Sequence, residues 1–386
     1  MLSSGKFWKA LPILAFSLFL LPALTFAQYT RTDLVTDTGV GGTVADPPLV
    51  NGWGLTDLPG SPWWVSDNGT GLSTLYAIDN SNGVSASRAT FVTVTIPPVA
   101  GNGPGSPTGV VGNTTGGFPF TVNGKTQSFL FIFATLDGTI SAWHPAIDPV
   151  VKGASTASLK VDRSANRQPV GAVYTGLAIG TNAGNPLLFA ADDGPNSRVD
   201  VFDTNFNLVD PNNNTVGLSS GAFTDPNIPS GYAPYGIQTI TTTAADGTKT
   251  ETVWVTYTAL NKAQNGFVAA FTTSGVLLSS INVQGPLHSP WGIALAPADF
   301  GPMSNAILIS NNTSRGRINA FDPNTGAFLG PLRDASNKPI EIDNVWAVQF
   351  GNAQDQGADG KHNQLFFTAG PNGYGNGLFG VITLGQ

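Results

Sequence analysis

The sequence contains no cysteine. That rules out a disulfide framework, a zinc–thiolate site and a thiolate nucleophile. Charge is scarce as well: Asp, Glu, Lys and Arg supply 11% of the 386 residues, against roughly 25% in an average domain. The 17 Lys and Arg are outnumbered by 24 Asp and Glu, for a net charge of −7, and they gather into no basic stripe. Nucleic acid therefore has no electrostatic footprint to bind. Histidine is limited to His144, His288 and His362, too few to build a triad from sequence alone. Beyond the N-terminus no apolar run is long enough for a membrane span, and no stretch keeps a 3.6-residue period.

What is present begins with a leader. Lys6 and Lys9 precede the apolar residues 10–26, which are broken by Pro12 and Pro22, and Thr25-Phe26-Ala27 reads as a small-residue cleavage site. The expectation is a signal peptide over 1–27, a mature chain from Gln28, and a secreted or periplasmic location. A transmembrane anchor is the alternative; the prolines and the short span weigh against it.

The mature chain repeats itself. A motif of a small or polar residue, an aromatic or threonine, glycine and an aliphatic residue occurs at Asn51-Gly52-Trp53-Gly54-Leu55, Ser106-Pro107-Thr108-Gly109-Val110, Val173-Tyr174-Thr175-Gly176-Leu177, Ala233-Pro234-Tyr235-Gly236-Ile237, Ser289-Pro290-Trp291-Gly292-Ile293 and, degenerate, Asn344-Val345-Trp346-Ala347-Val348. The glycine position recurs after 55, 67, 60, 56 and 55 residues. Each copy is followed by a second apolar run, a Gly-containing turn and a third run, with 47 glycines and 28 prolines to make the turns. Three strands plus an edge strand, six times over, predict one six-bladed β-propeller over 28–386. The last repeat ends after its third strand, and Thr30–Val35 has strand composition with no repeat of its own. That segment is expected to complete the last blade and hide its open edge. A β-sandwich or a solenoid explains neither the six copies nor the spare strand.

The fifth copy is the clearest: Ser289-Pro290-Trp291-Gly292-Ile293-Ala294, then Ile307-Leu308-Ile309-Ser310-Asn311-Asn312, then Gly316-Arg317-Ile318-Asn319-Ala320-Phe321-Asp322. It resembles the NHL repeat of propeller proteins. The mature chain as a whole looks like a secreted bacterial propeller family without an assigned activity. The resemblance implies a fold and an address, not a chemistry. In sugar-lactone hydrolases on similar propellers, the residue before the motif glycine faces the channel mouth, where Asn, Asp or Glu holds a divalent metal. Here those positions carry Trp53, Thr108, Thr175, Tyr235, Trp291 and Trp346, and none offers a metal an amide or carboxylate oxygen. Two readings stand: the rings plug the channel, or they form a stacking surface for a sugar or another planar ligand.

A second ring is expected at the ends of the second strands, with Asp67, Asp192 and Asn311 as candidate Ca²⁺ ligands. Turn chemistry is the competing account, because Asp and Asn beside Gly suit tight hairpins. Gly217-Leu218-Ser219-Ser220-Gly221 spells the nucleophile-elbow motif but lies in a loop context with no strand before it. Function therefore divides two ways. One reading is a binding or scaffold module for a small molecule, a glycan or an envelope protein. The other is a Ca²⁺-dependent hydrolase or lyase of the lactonase kind, suggested by fold analogy alone.

Overall fold

A computed structural model describes residues 28–385 except 100–102, 165–170, 211–213, 260–264, 284 and 352–356. The segment expected to be a leader, residues 1–27, lies outside the described residues. The chain is an all-β, six-bladed propeller. The inner strands are Gly52–Thr56, Pro107–Gly112, Tyr174–Asn182, Tyr232–Thr243, Pro290–Leu295 and Val345–Phe350, one per blade. Each pairs antiparallel with the strand that follows it in its own blade: Trp63–Asp67, Phe131–Thr135, Asn185–Asp192, Lys249–Ala259, Ile307–Asn311 and Leu365–Ala369. The third strands add outside these.

The ring closes through the N-terminal strand. Tyr29–Thr36 pairs antiparallel with Leu378–Leu384, in register from Tyr29 opposite Leu384 to Thr36 opposite Leu378, with a bulge near Leu34. It is the fourth strand of the blade that carries Trp346 and Phe366. Tyr29 is buried, and its hydroxyl donates to Phe300 O (2.7 Å) in the neighbouring blade. The core shows the same closure: six apolar clusters sit between successive blades, and one joins Leu34, Val35, Phe366 and Phe379 of blade 6 to Trp63 and Tyr76 of blade 1. Burying apolar faces on both sides of every blade supplies the stability that disulfides give smaller secreted domains.

The motif glycine is the point where blades touch. A Cβ at Gly236 would lie 2.0 Å from Trp291 O of the next blade, and one at Gly54 would lie 2.4 Å from Thr108 O. Backbone meets backbone there, so no side chain fits. Hydroxyls stitch the same seams. Ser310 accepts from Gly292 N and donates to Trp346 O; Thr368 accepts from Ala347 N and donates to Trp53 O. Blade 6 carries alanine in place of the motif glycine, and its Thr368 bridge still spans the seam to blade 1.

Candidate functional site: the two ends of the central channel

The six residues before the motif glycine converge on the axis, at the end where the inner strands begin. Four are aromatic and pack on one another. Trp53 stacks on Trp346 with centroids 3.6 Å apart, and Trp291 meets both edge-on at 6.2 and 5.8 Å. Tyr235 lies 6.5 Å from Trp53 and 6.0 Å from Trp346. Their exposures are 5% for Trp53, 2% for Tyr235, 8% for Trp291 and 1% for Trp346. Tyr374 covers Trp346 from outside at 5.7 Å. The ring faces a ligand would stack on are spent on each other.

No gap remains beside the small members. Thr108 and Thr175 are both buried. The Thr108 hydroxyl donates to Tyr174 O of the next blade (2.7 Å), and Thr175 O accepts the Trp291 Nε1–H (3.0 Å) from across the channel. Trp346 Nε1 donates to Asn51 Oδ1 (2.9 Å). Trp53 Nε1 is buried without an acceptor among the described residues. This end is a packed plug.

The other end, where the inner strands finish, is open. A funnel of about 600 Å³ is lined by residues of all six blades, among them Thr56-Asp57, Gly112, Ile179, Gln238-Thr239, Leu295 and Gln349. Below it a neck with room for about 20 Å³ reaches down to Trp291, about the space of one water. Glu251 also lines the funnel and accepts Thr181 N from blade 3 (2.6 Å). No Lys or Arg lines it.

Two carboxyls meet at its wall. Asp57 accepts from Gln349 Nε2 (3.1 Å) and lies against the fully buried Asp359, whose backbone carbonyl takes the Trp63 Nε1–H. Burial, then the Asp359 carboxyl beside it, raises the Asp57 pKa well above the carboxylate range. A carboxyl in that setting keeps its proton to a higher pH than a solvated one. Among the described residues the Gln238 amide makes no internal hydrogen bond, and the buried Thr239 hydroxyl has no partner. Sequence reasoning pointed to the opposite end and missed these residues. They belong to no motif, and Asp359 reaches Asp57 only through closure of the ring.

No family model matches the chain. Among curated proteins it is 30% identical over 345 residues to the uncharacterized protein R648 of Acanthamoeba polyphaga mimivirus, covering 88% of this chain and 76% of that one. The uncharacterized protein L690 of the same virus is 28% identical over 334 residues, covering 84% and 79%. The chain belongs to the family of R648. Solved structures similar to this family member include a streptogramin B lyase (11% identical, 93% of this chain and 98% of that one, TM-score 0.46) and the PQQ-bound aldose sugar dehydrogenase of Streptomyces coelicolor (11%, 93% and 99%, TM-score 0.45). Nothing about this chain's chemistry follows from those two likenesses.

The candidate calcium ligands do not fit one ion. Asp67 is fully buried within blade 1, and its pKa is raised well above normal, first by burial; Thr74 beside it works the other way. Asp192 is committed to its own turn, accepting Val173 N, Gly194 N and Asn196 Nδ2. Asn311 accepts His288 N and donates to Pro286 O, and it shares a surface pocket with three arginines. Asp192 and Asn311 are used in their own blade or in the loop leading into it, while both Asp67 carboxyl oxygens are sealed inside blade 1 without a hydrogen-bond partner among the described residues. Turn chemistry explains Asp192 and Asn311, and the guanidinium groups near Asn311 repel a cation. Gly217–Gly221 lies in a loop, where Ser219 N donates to Ser274 O. No helix among the described residues is long and apolar enough to cross a membrane.

Proposed function

We propose that this propeller is an exported binding module that takes a neutral or cationic, hydroxyl-rich small ligand, such as a glycan segment, into the open funnel. The observation that carries this reading is the polarity of the channel: plugged by aromatics at one end, open at the other. The open end presents Asp57, Glu251, Gln238 and Gln349 without an opposing Lys or Arg. An acid-bearing wall without a cation disfavours anions, and amides suit polyols. In this reading Trp53, Thr108, Thr175, Tyr235, Trp291 and Trp346 act as the floor beneath the ligand, reached only at the Trp291 neck. Export rests on the leader sequence and accords with an ordered strand starting at Tyr29, two residues past Ala27.

A glycan array followed by calorimetry on the strongest neutral hit, with spermidine as the cationic probe, tests the proposal. Saturable binding that weakens tenfold or more in Gln238→Ala and Gln349→Ala is the expected result. Binding by neither probe class, or binding indifferent to both substitutions, overturns it. A second reading, hydrolase or lyase chemistry, draws on the raised pKa of Asp57, since a carboxyl kept protonated near neutrality can serve as a general acid. Turnover of the bound glycan that disappears in Asp57→Asn would favour it.

A further inference from the structure

Outside the channel, the fifth blade carries a cavity of about 730 Å³ whose wall includes Arg315, Arg317, Arg333, His288, Asn311, Thr313 and Phe328. In a chain with a net charge of −7, three guanidinium groups in one pocket, with no acidic residue among its lining, are a local reversal of sign. The arginines are positioned, not dangling. Glu341 grips Arg315 through Nε and Nη2 (2.8 and 3.0 Å) and takes Arg317 Nη2 (2.7 Å). That pairing holds the Glu341 pKa below its usual range. Arg333 is tied by Nη1 to Asn337 O (2.9 Å). Asp334, next along the chain, turns Oδ1 to the backbone N–H groups of Ser336 and Lys338.

Donors are left over. Arg317 Nε is shielded from solvent and has no acceptor among the described residues. A buried guanidinium N–H without an acceptor is costly unless something completes it. Beside these donors lies an apolar wall of Val283, Pro286, Pro331, Pro339 and Phe328, the last 42% exposed. Planar, forked donors match tetrahedral and planar oxyanions, and the exposed ring matches a ring attached to one.

We propose that this pocket is a binding site for a small oxyanion ester, a phosphate or sulfate group carried on a ring-shaped body. The oxyanion sits among Arg315, Arg317 and Arg333, and the body lies on Phe328. This ligand class is anionic, unlike the neutral or cationic ligand proposed for the funnel, so the two sites select different molecules.

Calorimetric titration with phenyl phosphate, phenyl sulfate and inorganic phosphate in about 150 mM NaCl, where exposed charges are well screened, tests the site. Saturable binding of at least one phenyl ester is expected, several-fold tighter than inorganic phosphate. Arg317→Gln and Arg333→Gln should each weaken it tenfold or more with an unchanged melting temperature, and Phe328→Ala should erase the preference for the ester. The two esters separate phosphate from sulfate as the natural group. Absence of saturable binding below about 10 mM, the weak end of specific affinities, overturns the proposal. So does binding that persists in the Arg317→Gln/Arg333→Gln double variant. Should one single variant misfold, the other alone decides.

Discussion

The two ends of the channel are built from the same six strands and differ in what those strands offer. Where the strands begin, four large rings sit beside two adjacent threonines, and the Thr108 hydroxyl and the Trp291 and Trp346 indoles are committed to acceptors there. Where they end, the side chains are shorter or polar, and a cavity of about 600 Å³ opens. Six strands meeting at an axis leave a central channel, and here the rings fill one of its ends. Filling it with rings spends them on stability. Function then falls to the end that stays open, and substitutions at the two ends should have opposite signatures.

The largest effect is expected in the plug. Trp346→Ala should cost about 3–5 kcal/mol, the usual toll for a buried large aromatic, measured by chemical denaturation. A cost near zero would mean the rings are not core. Next comes Gly236→Ala, whose new Cβ would meet a backbone oxygen at 2.0 Å. A loss of about 1–3 kcal/mol or more is expected for such overpacking. Finer still is a comparison of two indoles. Trp346→Phe leaves Asn51 Oδ1 without its donor, whereas Trp53→Phe removes an N–H that has no acceptor. Trp346→Phe should cost more, by about 1–2 kcal/mol, the size of a buried group left unsatisfied. Gln238→Ala should change stability by less than about 0.5 kcal/mol, as for most surface sites; Gln349→Ala should cost more, because it strips Asp57 of a hydrogen-bond donor; both should alter ligand binding.

The funnel also predicts a pH dependence. Asp57 is pushed up to about 7 from 3.8 in the folded state. A raised acid binds its proton more tightly folded than unfolded. Its stabilising contribution is therefore complete below pH 3.8 and is lost as pH rises through about 7. Wild-type stability should decline across that window, and Asp57→Asn should flatten the decline and hold more stability at pH 8. An unchanged slope in the variant would show that Asp57 does not hold its proton into that window.

How much of this was legible in the sequence follows from what repeats. The six motif copies, the blade count and the closing strand Tyr29–Thr36 recur or are conspicuously spare, so a reader of the chain finds them. The convergence of Trp53, Tyr235, Trp291 and Trp346 follows from register once the blades are placed. Whether those rings leave a gap does not, because that depends on Trp291 reaching across to Thr175 O, a contact 116 residues away. The funnel was invisible for a different reason: Asp57, Gln238 and Gln349 sit after the motif, where the copies diverge. The arginine pocket was hidden by spacing. Arg315, Arg317 and Arg333 look scattered along the chain, and the turn between the third and outer strands of blade 5 brings them together.

Because the chain has no cysteine, a single thiol reports on one place. The most direct test of a closed end and an open one places a thiol at each, Thr108→Cys in the plug and Gln238→Cys in the funnel, and follows reaction with a disulfide reagent under native conditions. The account predicts that Gln238→Cys reacts at a rate near that of a free thiol, while Thr108→Cys reacts only when the protein unfolds. Equal native-state rates, or a protected Gln238→Cys, would contradict it.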